Sequence, residues 1–353
     1  MGTFRFNAWQ IELTTRCPLR CTMCIKDTYR DWHRRDMAME DFLKIVPYLR
    51  YVHTAVLEGW GESLMHPHLL DIIGLVKKQG CEVGFVTSGY GLDEDLIIKL
   101  IEAGIDFIGF SISGATDKTH NSIRVNSDFY NLVGSIKAFN TCIAENNLKK
   151  PKIHIVYLML TENILEMPAV IRLAADTGVK EVVFINITHI TNDRQDREKV
   201  FICQVHEEQP YRGIIDETIK AAKRLKIKIN LPGMTAGDVA LCSENPLENL
   251  YISSEGEVSP CVYLYPPIPD DFKRIFCGKE HTVNKVSFGN IFNEDMETIW
   301  NKKGYLDFRG RFYERKKKME ELYNLILEPK RIRDMTLPEP PEPCKTCHKI
   351  LGV

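Results

Sequence analysis

Three cysteines near the start of the chain have the residue type and the spacing for metal chemistry. Cys17, Cys21 and Cys24 follow one another as C-x3-C-x2-C. Three thiolates in so short a loop can bind three corners of a cubane iron–sulfur cluster and leave one iron open to a small molecule, whereas ferredoxin clusters take four cysteines. Zinc would favour four protein ligands, or His and carboxylate partners, and the nearest histidine is His33. The first interpretation is therefore a cluster with one open iron, with zinc as the alternative.

A second group of cysteines lies towards the end of the chain. Four of them can share one site: Cys242, Cys261, Cys344 and Cys347. Four thiolates suffice for one further [4Fe–4S] cluster or for a zinc ribbon, and Cys277 is a fifth candidate that could replace one of them. The chain has 11 cysteines and no export signal, so we expect ligated or reduced thiols rather than disulfides, and Cys203 shows no partner pattern.

Six strand–helix repeats surround the first cysteine loop. Apolar strand patterns cover 8–13, 54–59, 82–88, 107–113, 152–160 and 181–188, and helical patterns cover 39–52, 68–80, 93–104, 128–145 and 167–178. This alternation predicts a parallel sheet with covered faces, open or curled towards a barrel. Chemistry in such folds gathers at the carboxyl ends of the strands, where Gly59–Glu62, Thr87–Gly89 and Ser111–Gly114 fall together with the cysteine loop.

These motifs, in this order, resemble the radical S-adenosylmethionine (radical SAM) superfamily. Its C-x3-C-x2-C loop after the first strand is followed here by GWGES (59–63), TSG (87–89) and SISGATDKTHNSIR (111–124). The resemblance implies a partial (β/α)6 TIM-like barrel over residues 1–230. It also implies that the three cysteines of the loop hold a [4Fe–4S] cluster that binds SAM.

The resemblance also implies which residues contact SAM. They are Gly61 and Glu62 for its amino group, Ser88, Ser111 and Arg124 for its ribose and carboxylate, and Met23 beside its adenine. The chain departs from the family pattern with Trp60 in place of a Gly, Ser63 in place of a Pro, and Ser113 where many relatives carry Asp. No catalytic acid or base is assigned.

The C-terminal part resembles the SPASM extension. Cys242-x13-Gly256-x4-Cys261 and FGNIFNEDMETIW (288–300) match its opening, but the chain stops soon after Cys344-x2-Cys347. The resemblance therefore implies a shortened, twitch-like version. We expect a small α+β domain at 231–353 that holds an auxiliary [4Fe–4S] cluster, which accepts an electron from a substrate radical or binds the substrate.

The resemblance implies an enzyme that reductively cleaves SAM to a 5′-deoxyadenosyl radical, which takes hydrogen from a small molecule or a peptide. The alternatives are a peptide- or protein-modifying enzyme of the sulfatase-maturase kind and a non-catalytic iron–sulfur electron carrier. Because the barrel starts within ten residues, a leader-recognition domain would be a separate chain, which favours a small molecule. A one-electron donor such as flavodoxin or ferredoxin is the expected partner.

Composition excludes several other classes of partner. The formal net charge is -2, so no basic excess points to nucleic acid. No apolar stretch approaches the ~20 residues of a membrane helix, and no signal peptide is present, so we expect a cytoplasmic protein without membrane contact. Residues 262–281 are expected to form an aromatic loop that could cap the substrate cavity. We expect Arg315–Lys318 to be a solvated helix face, with a phosphate or leader-peptide contact as the alternative. His120 is expected to be an exposed neighbour of Arg124.

Overall fold

In a computed structural model of the chain, residues 6–204, 208–326 and 336–353 are described. The strands are β1 (Phe6–Ile11), β2 (Arg20–Cys21), β3 (Val52–Val56), β4 (Glu82–Thr87), β5 (Phe107–Ile112), β6 (Arg124–Val125), β7 (Lys152–Met159), β8 (Glu181–Asn186), β9 (Lys228–Asn230), β10 (Asn249–Ile252), β11 (Val258–Ser259), β12 (Phe272–Phe276) and β13 (Lys279–Val283). The helices are α1 (Met39–Leu49), α2 (Leu69–Lys78), α3 (Glu94–Glu102), α4 (Asp117–Ile123), α5 (Phe129–Glu145), α6 (Met167–Asp176), α7 (Asp193–Arg197), α8 (Arg212–Leu225), α9 (Met296–Asn301) and α10 (Lys303–Ile326).

One mostly parallel sheet organises the molecule. Its strand order is β11-β10-β1-β3-β4-β5-β7-β8-β9, and every neighbouring pair is parallel except β10 with β11. A helix crosses between successive strands of the run from β1 to β9, which confirms the predicted partial (β/α)6 barrel. The predicted boundary at residues 230 and 231 stays a prediction. Across it, β10 continues the sheet beside β1.

The two faces of the sheet differ in burial. In β1, Trp9 and Ile11 are fully buried in the core that also contains Phe42 of α1, whereas Gln10 on the opposite face is half-buried. Because successive side chains of a strand point to opposite faces, one face packs under the helices and the other faces the barrel interior. In β1 the interior face is therefore less completely packed than the face under the helices.

Two hairpins shape the C-terminal part. β10 and β11 turn at Glu255–Gly256, as predicted, and β12 and β13 turn at Cys277–Gly278. The interpretation of 262–281 as a loop was therefore wrong, because β12 and the start of β13 lie within it. None of the described helices is long and apolar enough to span a membrane.

Helix α10 corrects the interpretation of Arg315. Its side chain is 1% exposed, donates to the Val239 carbonyl at 2.7 Å, and contacts Asp238 and the Pro338 carbonyl. Arg315 thus connects the segment around Pro338 with the segment around Val239 and is not part of a solvated face. The run Arg315–Lys318 does lie within a helix, as predicted, and α10 is described as far as residue 326.

Candidate functional site

The first cysteine loop leaves the carboxyl end of β1 and is fixed at several points. Cys21 in β2 pairs with Arg124 in β6, and Lys26 Nζ donates to the carbonyls of Cys17 at 2.8 Å and Leu19 at 2.9 Å. A cavity of about 750 Å³ lies against the loop, and all three predicted cluster cysteines, Cys17, Cys21 and Cys24, line it. The loop therefore presents its thiols to one shared space.

The GWGES segment packs backbone to backbone against this loop. The Glu62 amide donates to the Arg16 carbonyl at 2.8 Å. A Cβ on Gly61 would lie 2.2 Å from the Thr14 carbonyl oxygen and 2.8 Å from that of Arg16. Glycine is required here because the end of β3 and the cysteine loop approach more closely than any side chain allows.

The Glu62 carboxylate is held in a fixed orientation. It is buried and accepts from Thr87 Oγ1 at 2.7 Å, from Ser88 Oγ at 2.6 Å and from the Ser88 amide at 2.8 Å. The structure thus brings together two of the predicted SAM-contacting residues, Glu62 and Ser88. Both lie at the carboxyl ends of adjacent strands, β3 and β4.

Arg124 connects another strand end to the cysteine loop. Its Nε donates to Ser113 Oγ at 2.8 Å, and its Nη1 lies 4.0 Å from Cys21 Sγ. Ser113, which departs from the family pattern, thus orients the predicted carboxylate-binding guanidinium. Met23 packs on a small apolar cluster that includes Ile187, and Ser111 is half-buried in β5.

His120 was wrongly interpreted as exposed. It is fully buried in α4, where Nδ1 accepts from the Ser113 amide at 3.2 Å and Nε2 lies 3.0 Å from Ser127 Oγ. Burial, with a smaller contribution from the positive charge of Arg124, lowers its pKa to about 3. His120 is therefore a neutral core residue with both ring nitrogens paired.

The second cysteine group also comes together. Arg274 is 1% exposed and donates to the Tyr263 carbonyl at 3.2 Å and to the Pro343 carbonyl at 3.0 Å. It therefore connects the segment that follows Cys261 with the segment that precedes Cys344. The four predicted ligands are close enough to perturb one another electrostatically: Cys242, Cys261, Cys344 and Cys347. Trp32, from the segment after the first loop, packs against the same apolar cluster as Cys261.

Cys277 does not join this group. Its sulfur is bonded to that of Cys203, with a Cα–Cα distance of 5.7 Å. The expectation that the chain contains no disulfide was therefore wrong, and the possibility that Cys277 replaces one of the four ligands is not supported. Sequence spacing could not reveal this pair because 74 positions separate its members.

Sequence reasoning missed one buried residue at the barrel mouth. His189, three positions after β8, lies between the rings of Tyr263 at 5.8 Å and Phe272 at 5.3 Å, with the Trp60 ring at 5.2 Å. Neither ring nitrogen of His189 has a partner in the described residues, and neither does Trp60 Nε1. The only sequence signal was its position just beyond a strand end.

Comparison with known proteins identifies the family. The Radical SAM superfamily profile matches residues 11–174, and the SPASM profile, described as an iron–sulfur cluster-binding domain, matches residues 242–348. The chain belongs to the radical SAM superfamily. Its C-terminal part is of the SPASM type, and the predicted family, fold and enzyme class are confirmed.

Two relatives and one solved structure of similar fold span different parts of this radical SAM chain. The tungsten-containing aldehyde ferredoxin oxidoreductase cofactor-modifying protein of Pyrococcus furiosus is 28% identical over 85% of this chain and 82% of its own. The PqqA peptide cyclase of Streptomyces rochei is 31% identical over 30% of this chain and 29% of its own. The crystal structure of Streptococcus suis SuiB bound to precursor peptide SuiA has a TM-score of 0.61 at 11% identity, covering 99% of this chain and 71% of that one.

The family fixes the cofactors. The radical SAM domain binds a [4Fe–4S] cluster and SAM, and the SPASM-type domain binds auxiliary iron–sulfur clusters. The residues assigned to these groups from the sequence remain predictions, and the structure provides a test of their fit.

The predicted cluster cysteines are not spaced to hold a single tetrahedral ion. Tetrahedral zinc with Zn–S bonds of about 2.3 Å needs sulfurs about 3.8 Å apart. Among the described residues, one group alone brings three ligand atoms within 4.8 Å of one another, and it contains none of the seven predicted cluster ligands. Burial raises the pKa of Cys24 and of Cys242 to about 12, a cost that bonding of the thiolates to iron would offset.

Proposed function

We propose that the three thiols of the first loop bind the SAM-cleaving cluster, and that a substrate held between the barrel mouth and the SPASM-type part donates a hydrogen atom. The observation that supports this most directly is the single 750 Å³ cavity that Cys17, Cys21 and Cys24 all line at the carboxyl end of the sheet. When bound, the cluster and SAM supply one-electron cleavage to methionine and a 5′-deoxyadenosyl radical. The chain itself positions the reactants and excludes water.

The proposed roles of individual residues follow from their fixed orientations. Glu62 has its carboxylate set by Thr87 and Ser88, which suits it to bind an ammonium group. Arg124, with Nε held by Ser113, offers the rest of its fork to a carboxylate. Gly61, Ser111 and Met23 complete the proposed SAM site.

The auxiliary cluster is proposed to lie on Cys242, Cys261, Cys344 and Cys347, the four thiols that the structure groups together. A separate cavity of about 170 Å³ is lined by Gln10, Glu58 and Cys261, among others. This cavity connects the half-buried barrel face with one proposed cluster ligand, which supports contact between substrate and auxiliary cluster.

We propose a small organic molecule, such as a cofactor precursor, as the substrate. The aromatic rings of Trp60, Tyr263 and Phe272 narrow the barrel mouth around His189, which suits a compact substrate. The relative aligned over 85% of the chain is called a cofactor-modifying protein.

A peptide is the second candidate. The peptide cyclase aligns over 30% of the chain at 31% identity, and SuiB, which shares the fold, was crystallised with a precursor peptide. We further propose that a flavodoxin or ferredoxin supplies the electron and that the protein works in the cytoplasm, where its unpaired thiols would stay reduced.

The first experiment is anaerobic. The reconstituted protein receives SAM and dithionite, and 5′-deoxyadenosine is quantified with the wild type and with Cys17→Ala, Cys21→Ala and Cys24→Ala. We expect product with the wild type and a loss of more than 100-fold with each variant. Product that survives in all three variants would rule out the assignment.

A second step separates the two substrate classes. Cell extract is separated by a filter that retains molecules above about 1 kDa, and the filtrate and the retained fraction are each added with or without prior protease treatment. We expect the filtrate to stimulate 5′-deoxyadenosine formation equally in both cases. Stimulation that protease treatment abolishes would assign a peptide instead.

A further inference from the structure

Cys203, Cys277 and His348 form a compact group outside the two proposed cluster sites. The two sulfurs and one ring nitrogen of His348 lie within 4.8 Å of one another. The three residues come from separate parts of the chain: the segment after α7, the turn between β12 and β13, and the C-terminal turn. A single ion bound by all three would tie these segments together.

The imidazole of His348 is held in the tautomer that a metal-binding histidine needs. Its Nδ1 lies 3.3 Å from the Thr188 carbonyl, which can only accept, so Nδ1 carries the proton. Nε2 is therefore the unprotonated nitrogen, and it accepts a hydrogen bond from the Cys277 amide at 3.2 Å, which a bound zinc ion would replace. Metal-bound histidines commonly donate their other ring nitrogen to a carbonyl in this way, which fixes the ring and its tautomer.

Two aromatic rings pack against the imidazole, and the charged side chains of Arg274, Asp196 and Lys199 lie near enough to affect it. The rings of Phe201 and Phe276 each lie 5.0 Å from the His348 ring, which is fully buried. The Ile202 amide donates to the Met234 carbonyl at 3.0 Å, which holds the Cys203 segment in place.

Cys277 occupies an unusual backbone position. It sits in a two-residue turn with φ of 47°, a left-handed conformation in which Asn or Gly is the usual choice. Local turn chemistry does not account for cysteine there, whereas a role for its sulfur does.

We propose that Cys203, Cys277 and His348 bind one zinc ion in the reduced protein, separate from the iron–sulfur clusters. Reduction of the Cys203–Cys277 disulfide by a dithiol takes up two electrons and two protons, and Zn²⁺ then displaces both thiol protons. Two thiolates and one imidazole are a common zinc donor set with a fourth position left for water. The close grouping suits one ion rather than a cubane.

The test uses the complete protein with its iron clusters, reduced anaerobically with dithiothreitol, given one equivalent of zinc and desalted. We expect one zinc per chain by mass spectrometry of the elements. Zinc-edge X-ray absorption should show two sulfurs at about 2.3 Å with nitrogen or oxygen at about 2.0–2.1 Å. This readout does not depend on catalysis, so it is independent of the proposed function.

Matched variants locate the ion. Cys203→Ser and Cys277→Ser should each lower zinc at least tenfold while iron per chain stays unchanged, and Cys142→Ser, at a partly exposed free cysteine, should change neither metal. Three results would overturn the proposal: no zinc retained by the reduced wild type, a zinc shell of four sulfurs, or loss of iron in Cys203→Ser. The absorption measurement on the wild type remains decisive even if a variant folds poorly.

Discussion

Glu12 is a buried carboxyl group at the barrel mouth, and its burial affects its pKa. It is 1% exposed and accepts from the amides of Trp60 at 2.8 Å and Ser254 at 3.3 Å. Burial nevertheless dominates and raises its pKa to about 7. A carboxyl placed at the junction of β1, the GWGES loop and the β10–β11 turn therefore remains protonated to nearly neutral pH.

Glu12 makes the stability of the protein depend on pH. The unfolded chain loses this proton near its ordinary pKa of 4.5, but the folded chain keeps it to about 7, so stability falls as pH rises between these values. The full cost, at most about 3 kcal/mol, is reached above pH 7. We expect Glu12→Gln to have a smaller drop in Tm between pH 5 and pH 8 than the wild type. Equal drops in both proteins, measured by calorimetry, would contradict the assignment.

His189 is a second buried residue at the barrel mouth, and its ring nitrogens, which have no partner in the part of the chain that is described, carry an energetic cost. Burying an unsatisfied polar group is unfavourable, whereas an apolar ring of similar shape avoids that penalty. We expect His189→Phe to leave Tm unchanged or to raise it by about 1–3 °C. We propose that His189 hydrogen-bonds the substrate, so substrate-dependent turnover should fall roughly tenfold in this variant. SAM cleavage without substrate should persist.

His120→Phe provides the matched control for this prediction. Both nitrogens of His120 are paired, so its replacement leaves the Ser113 amide without an acceptor and should lower Tm. A fall in Tm of the same size in both variants would show that His189 is structurally satisfied, for example by buried water.

At the scale of elements, the strand ends were readable from the sequence, and the contacts between them were not. Alternating strand and helix patterns predicted the six repeats, because burial imposes its period on each element separately. The spacing of Cys17, Cys21 and Cys24 likewise indicated their common site. The disulfide of Cys203 with Cys277 and the burial of Arg315 depend on how distant segments meet. The sequence pattern within one segment does not indicate which distant segments it contacts.

The same distinction explains why the sequence did not predict the role of His189 or the hairpin of β12 and β13. A lone histidine after a strand carries no periodic signal, and the aromatic run that follows Cys261 resembles a loop because prolines interrupt it. Only the folded chain shows that Tyr263 and Phe272 from that run enclose His189.

Close packing of the β3 end against the cysteine loop leads to a prediction for Gly61. Gly61→Ala places a Cβ 2.2 Å from the Thr14 carbonyl oxygen, which is backbone and can move only with the loop. We expect a loss of about four irons per chain, measured before SAM is added, and a fall in SAM cleavage of at least tenfold. Gly74→Ala in α2, where nothing lies within 4 Å, should keep its iron. Full iron content in Gly61→Ala would indicate that the loop adapts.

Over the whole molecule, the charge is distributed unevenly. The chain carries a formal net charge of -2, yet residues 16–36 contain six Lys or Arg against three Asp. Arg30 and Arg34 are exposed and line the cavity that holds the three cysteines. An acidic electron carrier approaching the first cluster would thus meet a locally positive surface, which raises the rate of encounter more than the final affinity.

Charge reversal at this surface tests the route of the electron. With a reduced flavodoxin as donor, we expect the double variant Arg30→Glu, Arg34→Glu to form 5′-deoxyadenosine at least threefold more slowly than the wild type at low salt. The difference should shrink above about 0.5 M salt, where the Debye length falls below about 5 Å. Dithionite, a small chemical reductant, should drive both proteins at similar rates. The pair Lys316→Glu, Lys317→Glu, at exposed positions of α10, carries the same charge change outside the loop and should behave as the wild type. Equal slowing by the two double variants would mean that net charge alone governs the encounter, and that the donor does not dock at the cysteine loop.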